Sequence, residues 1–412
     1  MKNHWKDGRV IDLIERLESG ASVNGADRVP TDDEPAVLKV SAVTYGVFDQ
    51  YASKPILDGE ILNAKCNPQK GQILISRSNT PDLVGASVIV DRDYPNRYLS
   101  DKLWQTVPKK NVKTNLRWLA HLLASPRVRF RLSSLATGTS NSMKNITKEE
   151  LLSLPISIPP LNEQTAIADL LSTWDTAIEK IERLIAAKET RFSWLRDRLI
   201  NQEIKKGKWQ QVKLMEVFSE RVEPKFNDLP LLSITREEGV ILREDVNRKD
   251  TSNNDKSKYL RICPGDIGYN TMRMWQGVSA LSTLEGIVSP AYTICIPSDR
   301  LYGEFVALYF KTPLLIHKFY RFSQGLTSDT WNLKFKHFKE IKASFPPLKQ
   351  QKQIAATLKT ARSEIDLLKK QLKAYRKQKR GLMQKLLTGQ WRVKIIDKAK
   401  NNGAVGQLGK KD

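Results

Sequence analysis

The sequence predicts an α+β protein in which two similar α/β domains are joined by two long antiparallel coiled-coil helices, arranged circularly with pseudo-twofold symmetry. Three observations predict this fold. The chain repeats itself at an offset of 187 residues, from Pro159 to Pro346. Each copy enters a long helical pattern through Pro-Pro-Leu, and the chain closes on a fragment resembling the start of each copy. Because solenoid repeats run only about 20–50 residues, the repeated unit is a whole domain with its helix.

The offset holds on both sides of the two Pro-Pro-Leu sites, which divides the chain into corresponding parts. The matching residues are Pro126 and Pro313, Gly138 and Gly325, Asn145 and Asn332, Gln164 and Gln351, Leu171 and Leu358, and Ile178 and Ile365. We predict a first domain over 1–158 with a helix over 159–206, and a second domain over 207–345 with a helix over 346–390. A C-terminal segment over 391–412 is expected to return toward the first domain and to be disordered from Lys398.

Composition narrows the class of partner. The chain has 412 residues, 68 Lys and Arg against 45 Asp and Glu, and a net charge of +23. Such a basic chain is typical of nucleic-acid binding, although a basic pI can also serve solubility alone. The sequence shows neither an apolar run of about 18 residues nor a signal peptide, so we expect a cytoplasmic protein without a membrane segment. Three isolated cysteines, Cys66, Cys263 and Cys295, indicate a reducing compartment and form no zinc pattern.

The elements of the first domain follow in order. Val10, Ile14 and Leu17 predict a polar helix near the N-terminus. Residues 37–40, 73–75 and 86–90 predict strands, and 116–123 predict a helix that ends before Pro126. The second domain repeats this order, with a strand over 231–234 and a helix over 304–310.

The long helices are predicted from their ends and their periodicity. Asn162 is an N-cap candidate, and Gly207 and Gly389 are candidate stops. Apolar residues in both helices recur at alternating steps of four and three, which predicts a coiled coil. The alternative is that each helix packs on its own domain. The predicted seam consists of Ile167, Leu171, Trp174, Ile178, Ile181 and Ile185 in the first helix, and Ile354, Leu358, Ile365, Leu368, Leu372 and Tyr375 in the second.

Charge supports pairing of these two helices. Residues 163–199 hold six basic and seven acidic side chains, whereas 349–387 hold twelve basic and two acidic. A near-neutral helix can lie beside a strongly basic one without net repulsion. Lys188 and Lys379 interrupt the apolar seam, and we predict that they set the antiparallel register.

No catalytic or metal-binding pattern is present in the sequence. The four histidines, His4, His121, His317 and His337, are isolated from one another and from cysteine. No His-Glu-x-x-His helix, nucleophile elbow or phosphate-binding glycine loop occurs. We therefore predict no catalytic residue, no metal and no cofactor on this chain.

Two copies of one motif carry a resemblance to a known family. They read Ile-Pro-Pro-Leu-Asn-Glu-Gln-Thr-Ala-Ile-Ala over 158–168 and Phe-Pro-Pro-Leu-Lys-Gln-Gln-Lys-Gln-Ile-Ala over 345–355, the latter helix ending Leu-Leu-Thr-Gly. The chain resembles, over nearly its whole length, the DNA specificity (S) subunit of type I restriction–modification systems. The second copy departs from the family pattern at Gln350, where glutamate is usual.

The resemblance implies a division of labour. Each domain would be a target recognition domain reading one half of a split, asymmetric site in double-stranded DNA, and the helices would set the gap between the halves. Two methyltransferase (M) subunits and the restriction/translocase (R) subunits would be the protein partners. S-adenosylmethionine, ATP and Mg would then be bound by those partners.

Two loops per domain are the candidate DNA contacts. Side chains that could read bases are Ser76, Arg77, Ser78, Asn79, Thr139, Ser140 and Asn141 in the first domain, and Asn270, Thr271, Arg273, Gln276, Thr327, Ser328 and Trp331 in the second. Candidate phosphate contacts are Arg127, Arg129, Arg131, Lys144, Lys318, Arg321 and Lys334. A solvated loop or helix face is the alternative for each.

Two other functions remain open on the sequence. One is a self-contained restriction or methylation enzyme fused to its recognition domains. The other is a defence-system adaptor that binds protein on the same scaffold.

Overall fold

The structure is a computed structural model that describes residues 5–44, 46–140, 143–246, 255–327 and 330–393, excepting the side chains of Thr139 and Ser140. Its contacts divide the chain into two compact units. Unit 1 comprises Met1–Ile181 and Gln371–Asp412, and unit 2 comprises Glu182–Lys370. The division falls inside both long helices, so each unit contains a part of each helix.

Unit 1 holds the first domain. Its strands are β1 Lys6–Arg9, β2 Ile14–Ser19, β3 Ala36–Leu38, β4 Ser53–Pro55, β5 Ile73–Ser76, β6 Ser78–Asn79, β7 Ser87–Ile89, β8 Arg97–Tyr98, β9 Leu103–Pro108, β10 Thr137–Ser140, β11 Met143–Asn145 and β12 Pro155–Ile158. Its helices are α1 Leu116–Ala124, α2 Pro126–Leu135, α3 Lys148–Leu152, the first part of α4 Leu161–Arg196 and the last part of α9 Leu348–Leu386.

The central sheet of unit 1 is antiparallel, in the order β2-β9-β5-β7. Strand β5 shows why these residues form its centre. Ile73 and Ile75 enter one apolar cluster and Leu74 enters another, as the alternation of a strand requires. The first cluster also contains Trp118 of α1 and Ile167 of α4, so the start of the long helix belongs to the core of the domain.

Unit 2 repeats this organisation. Its strands are β13 Gln210–Lys213, β14 Phe218–Glu220, β15 Leu232–Ile234, β16 Val240–Leu242, β17 Leu260–Ile262, β18 Ile267–Asn270, β19 Ser279–Leu281, β20 Gly286–Val288, β21 Tyr292–Pro297 and β22 Lys342–Phe345. Its helices are the last part of α4, α5 Gln202–Lys205, α6 Gly303–Tyr309, α7 Pro313–Phe322, α8 Phe335–Phe338 and the first part of α9. The sheet β14-β21-β18-β19 corresponds to β2-β9-β5-β7, and the pair β13-β22 corresponds to β1-β12.

The predicted N-terminal helix is wrong. Residues Ile14–Ser19 form β2, in which Ile14 and Leu17 are buried and the two residues between them are exposed. The pairing of β2 with β9 shifts register between Ile14 and Arg16. This bulge adds one residue to the strand, so buried positions lie three apart and imitate helical spacing.

The long helices differ from the prediction at their start and agree with it at their ends. Helix α4 begins at Leu161, which places Asn162 inside the first turn and contradicts its role as N-cap. A π-helical segment, Asp197–Asn201, and α5 continue α4 to Lys205. Gly207 and Gly389 then adopt φ values of +69° and +72°, the left-handed conformation that ends helices.

The predicted seam is buried or half-buried along both helices, and residues between seam positions are mostly exposed. In unit 1 the Trp174 and Tyr375 rings meet edge to face, with 5.3 Å between centroids. The two seam lysines are paired across the helices. Lys379 binds Asp175 within unit 1, and Lys188 Nζ lies 2.5 Å from Glu364 Oε1 within unit 2. Both contacts join antiparallel segments, which supports their predicted role in register.

Candidate nucleic-acid interface

In unit 1 the two predicted recognition loops come together in one small sheet. Strand β11, from the second loop, pairs with β10 and with β6 from the first. The Ile146 amide donates to the Arg77 carbonyl at 2.9 Å, which extends the junction by one residue. The loops therefore form a single surface although about sixty residues separate them in the sequence.

Unit 2 joins its two loops at the corresponding place. The Leu333 amide donates to the Thr271 carbonyl at 2.8 Å, and Leu333 is the residue at the repeat offset from Ile146. Here the junction is aromatic. Trp275 and Trp331 meet edge to face at 5.1 Å, and Tyr320 meets Trp331 at 4.9 Å. The same backbone frame thus carries polar loops in one domain and aromatic loops in the other.

In each domain a glycine lets the first loop pack closely against a helix that carries basic side chains, α2 in unit 1 and α7 in unit 2. Gly85 has φ +74°, and a Cβ there would lie 2.9 Å from Leu132 Cδ1 of α2. Gly277 has φ +78°, and a Cβ there would lie 2.9 Å from Ile316 Cδ1 of α7. Both positions need the left-handed backbone and the close approach that glycine allows.

Burial separates the base-reading candidates. Ser76 is 0% exposed and Ser78 is 3% exposed, so neither hydroxyl can reach a base edge, and we withdraw both. The Ser76 hydroxyl instead donates to the Ser78 carbonyl and shapes the loop. Arg273 is exposed, whereas Arg77, Asn79, Asn270, Thr271, Gln276 and Trp331 are half-buried at the loop junctions and Thr327 is exposed beside the second loop. Thr139 and Ser140 lie in β10 without described side chains, and Asn141 and Ser328 lie outside the described residues.

Several phosphate candidates already have protein partners. Arg129 Nη2 donates to the Asp82 carbonyl at 3.0 Å, and burial lowers the pKa of its guanidinium. Arg129 therefore supports the first loop, and we no longer count it among the candidate phosphate contacts. Lys144 Nζ donates to the Gly138 carbonyl at 2.8 Å. Lys318 Nζ donates to the Lys342 carbonyl at 2.6 Å, and burial lowers its pKa. The exposed candidates are Arg127, Arg131, Arg321 and Lys334.

The glutamine of the repeated motif ties each long helix to its domain. Gln164 is buried, accepts from the Asn115 amide at 2.9 Å and donates to the Pro159 carbonyl at 2.9 Å. Gln351 accepts from the Tyr302 amide at 2.8 Å and donates to the Pro346 carbonyl at 2.9 Å. Asn115 and Tyr302 are the N-cap residues of α1 and α6. In the sequence this glutamine served only to align the two copies. Its recurrence at the third position after both Pro-Pro-Leu sites was the signal that could have indicated a structural role.

A second contact was missed because its members are far apart in sequence. The buried Glu163 carboxylate accepts from Trp5 Nε1 at 3.0 Å and from Arg392 Nη2 at 2.7 Å. The C-terminal fragment resembles the start of each copy because all three contain a tryptophan, Trp5, Trp209 or Trp391. Trp5 and Trp209 are buried, whereas Trp391 is 50% exposed. Arg392 therefore joins the C-terminal segment to the start of α4.

Two further observations concern chemistry. Among the described residues, no group of three or more His, Cys, Asp and Glu side chains could hold a metal ion. Within the same residues, no helix is both long and apolar enough to cross a membrane.

Comparison with known proteins relates this architecture to a family. The family model for the type I restriction–modification DNA specificity domain matches residues 9–189 and 206–375. The chain is 22% identical over 188 residues to the type I restriction enzyme EcoEI specificity subunit of Escherichia coli, which is 45% of this chain and 32% of the relative. It is 26% identical over 138 residues to the specificity subunit S.HindORF215P of Haemophilus influenzae, 32% of this chain and 33% of the relative. These matches span about a third of the length of either curated relative.

Solved structures share the fold. The S subunit of a type I restriction–modification system from M. genitalium matches 94% of this chain and 97% of its own, with a TM-score of 0.58 and 16% identity. A structure describing complex assembly and conformational transition of the type I restriction–modification system matches 95% of this chain and 99% of its own, with a TM-score of 0.53 and 15% identity. The predicted fold class, two similar α/β domains with long helices, is confirmed. The chain belongs to the family of type I restriction–modification DNA specificity domains and carries two copies of that domain.

Proposed function

We propose that the chain is the DNA-binding specificity subunit of a type I restriction–modification complex and has no catalytic site of its own. The observation that carries this proposal is the shared loop junction. The Ile146–Arg77 and Leu333–Thr271 backbone bonds place two loops together in each domain, while the side chains around them differ. A constant frame with different loops suits two domains that read different half-sites, and hence an asymmetric target.

The remaining assignments follow from this role. The domains span 1–158 and 207–345, with the two helices as the spacer between half-sites, because a helix pair sets distance better than a loose linker. Two methyltransferase subunits and the restriction subunits complete the complex and bind S-adenosylmethionine, ATP and Mg. The structure that describes assembly of a type I system supports partners of this kind. The complex would act in the cytoplasm, where its DNA lies.

Mapping methylated positions in host DNA, with and without this gene, tests the role directly. We expect a split, non-palindromic motif with a constant gap that disappears when the gene is deleted. A map that the deletion leaves unchanged would contradict the proposal. Methylation or cleavage by the purified chain alone, given S-adenosylmethionine or Mg, would favour the enzyme alternative.

Binding to the mapped site then tests the interface. Arg273→Ala should weaken binding by about 1–3 kcal/mol and relax selectivity at one base position. Arg236→Ala, an exposed arginine of the same unit outside both loops, is the matched control. Affinity of the unaltered chain should fall with salt at a slope of about −0.9 per phosphate contact. A salt-independent affinity would instead point to a protein-binding adaptor.

A further inference from the structure

The loop junction of unit 2 carries a group of apolar side chains. Trp331 packs edge to face against Trp275 and against Tyr320, with ring centroids 5.1 and 4.9 Å apart. The Trp275 indole donates to the Met272 carbonyl at 3.0 Å, which joins Met272 to the same group. We call these four residues, Met272, Trp275, Tyr320 and Trp331, the apolar patch. Met272 and Trp331 lie within two residues of the backbone bond that joins the two loops of the domain.

The apolar patch is accessible to a ligand. Met272 and Tyr320 are each 45% exposed, and both tryptophans are half-buried. Leu326, in the same loop as Trp331, is fully exposed. Single apolar side chains at a protein surface are ordinary, but grouped ones that include tryptophan and tyrosine mark binding sites.

The first copy has polar residues at the corresponding positions. At the repeat offset, Ser133, Thr139 and Lys144 stand where the second copy has Tyr320, Leu326 and Trp331. The shared frame makes Ser78 the counterpart of Met272, because each directly follows the residue whose carbonyl accepts the bond between the loops. The apolar patch is therefore a property of the second domain and not of the frame.

Basic side chains occur on the same segments as the patch. Residues 270–277, 317–327 and 330–336 contain five Lys and Arg and no Asp or Glu. Among the five, Arg273, Arg321 and Lys334 are exposed. A ligand that matches this surface combines an apolar group with negative charge. Double-stranded DNA does so in its major groove, where the 5-methyl group of thymine projects between the phosphates of the two strands.

The packing of the rings favours contact with a methyl group over insertion between bases. Apolar side chains that enter a base step act as wedges and need to project from the protein surface. Trp275 and Trp331 are instead half-buried and held edge to face against neighbouring rings. Such a fixed surface can cover a methyl group without unstacking the DNA.

We propose that the apolar patch recognises thymine in the half-site of the second domain, through the thymine 5-methyl group. The inference rests on the proposed function, because it takes DNA as the ligand of these loops. It adds Met272, Trp275 and Tyr320 to the residues that determine specificity, and it assigns the role of Trp331 to its ring.

Removing the methyl group from the DNA tests the proposal without altering the protein. Each thymine of the mapped site, in both strands and both half-sites, is replaced singly by deoxyuridine, which keeps every hydrogen-bonding group of the base. Binding of the full chain is measured by fluorescence anisotropy. At one position or more the affinity should fall about fourfold, which is the contribution expected from burying one methyl group.

Protein variants then assign the methyl contact to the patch. Met272→Ser and Tyr320→Ser place the residue of the first copy at two exposed positions. Met215→Ser, at an exposed methionine of the same unit outside both loops, is the matched control. The uracil effect should fall below about twofold in the patch variants, because the methyl group has lost its partner, and should stay unchanged in the control. Thermal melts establish that the variants fold.

Two results would overturn the proposal. One is a mapped site at which no replacement of thymine by uracil weakens binding. The other is a uracil effect that persists in both patch variants, which would place the methyl contact elsewhere on the protein. Binding of the unmodified site is measured beside a scrambled duplex. Equal affinity for the two duplexes would refute the proposed function, whereas selective binding without a uracil effect would refute only the thymine contact.

Discussion

Replacing Glu163 by glutamine should destabilise unit 1, because this carboxylate joins the N-terminal strand region to the C-terminal segment. Its side chain is 2% exposed, accepts from Trp5 Nε1 at 3.0 Å and accepts two bonds from the Arg392 guanidinium. The substitution keeps the shape and reproduces the residue found at the matching position of the second copy, Gln350. It removes the charge and one of the two acceptor oxygens.

The magnitude follows from the lost bonds. Hydrogen bonds to charged groups contribute about 1.5–3 kcal/mol each. The Arg392 side chain is 45% exposed and regains water when it is released, so the loss is discounted to about 2 kcal/mol. For a unit of this size, each kcal/mol lowers the Tm by about 2–4 °C. We therefore expect the transition of unit 1 to fall by about 4–8 °C.

Scanning calorimetry of four proteins decides the matter: the unaltered chain, Glu163→Gln, Arg392→Ala and the double variant. The two single effects should not add, because they break the same contact. Gln350→Ala is the matched control, since the Gln350 side chain has no partner in the described part of the chain, and it should cost less than about 0.5 kcal/mol. A Glu163→Gln effect as small as that of the control, or full additivity with Arg392→Ala, would refute the reasoning.

Three further predictions concern the loop frame, acid stability and helix register. Gly85→Ala should lower the free energy of unfolding by about 1–3 kcal/mol and weaken DNA binding, because alanine is forced to φ +74° and its Cβ lies 2.9 Å from Leu132 Cδ1. Equal stability of the variant and the unaltered chain in urea unfolding would contradict this prediction. Burial lowers the pKa of His121 to about 4 in the folded chain, so the free energy of unfolding of unit 1 should fall by up to about 3 kcal/mol as the pH falls from about 6.5 to 4. The His121→Gln variant should show a flatter dependence of stability on pH, and a pH profile equal to that of the unaltered chain would contradict this prediction. Lys188→Leu should stabilise the helix pair by up to about 1 kcal/mol. It should also broaden the distribution of distances between spin labels on the two helices, because the contact with Glu364 no longer sets their register. An unchanged distance distribution would contradict the role of Lys188 in register.

The sequence anticipated those features that local chemistry controls. Proline cannot lie inside a helix and glycine readily takes left-handed backbone, so Pro159, Gly207 and Gly389 marked where the long helices begin and end. The heptad pattern identified the buried face of α4 and α9, because side chains three and four residues apart share one side of a helix. It did not show that Ile167 and Leu171 also enter the core of the first domain.

The candidate site was predicted only in part. The two candidate loops of each domain were chosen because their positions recur in the two copies, and the structure joins them, while their role in recognition stays a proposal. The sequence did not show which of their side chains are free to contact DNA. Ser76 and Arg129 look like other polar residues in the sequence, but Ser76 is buried and Arg129 donates to the Asp82 carbonyl. The strand bulge after Ile14 likewise imitated a helix, because a one-residue insertion changes the spacing of buried positions from two to three.

By itself, the sequence determined the duplication, the C-terminal ends of the long helices, the seam and the family, all of which depend on residues close together or repeated in register. Only the tertiary structure decided the contacts between distant positions. Glu163 meets Arg392 across 229 residues, and Phe130 stands exposed beside Met383, without any local pattern that announces either. Such contacts depend on how whole elements pack, and packing selects partners by shape and charge rather than by their spacing along the chain.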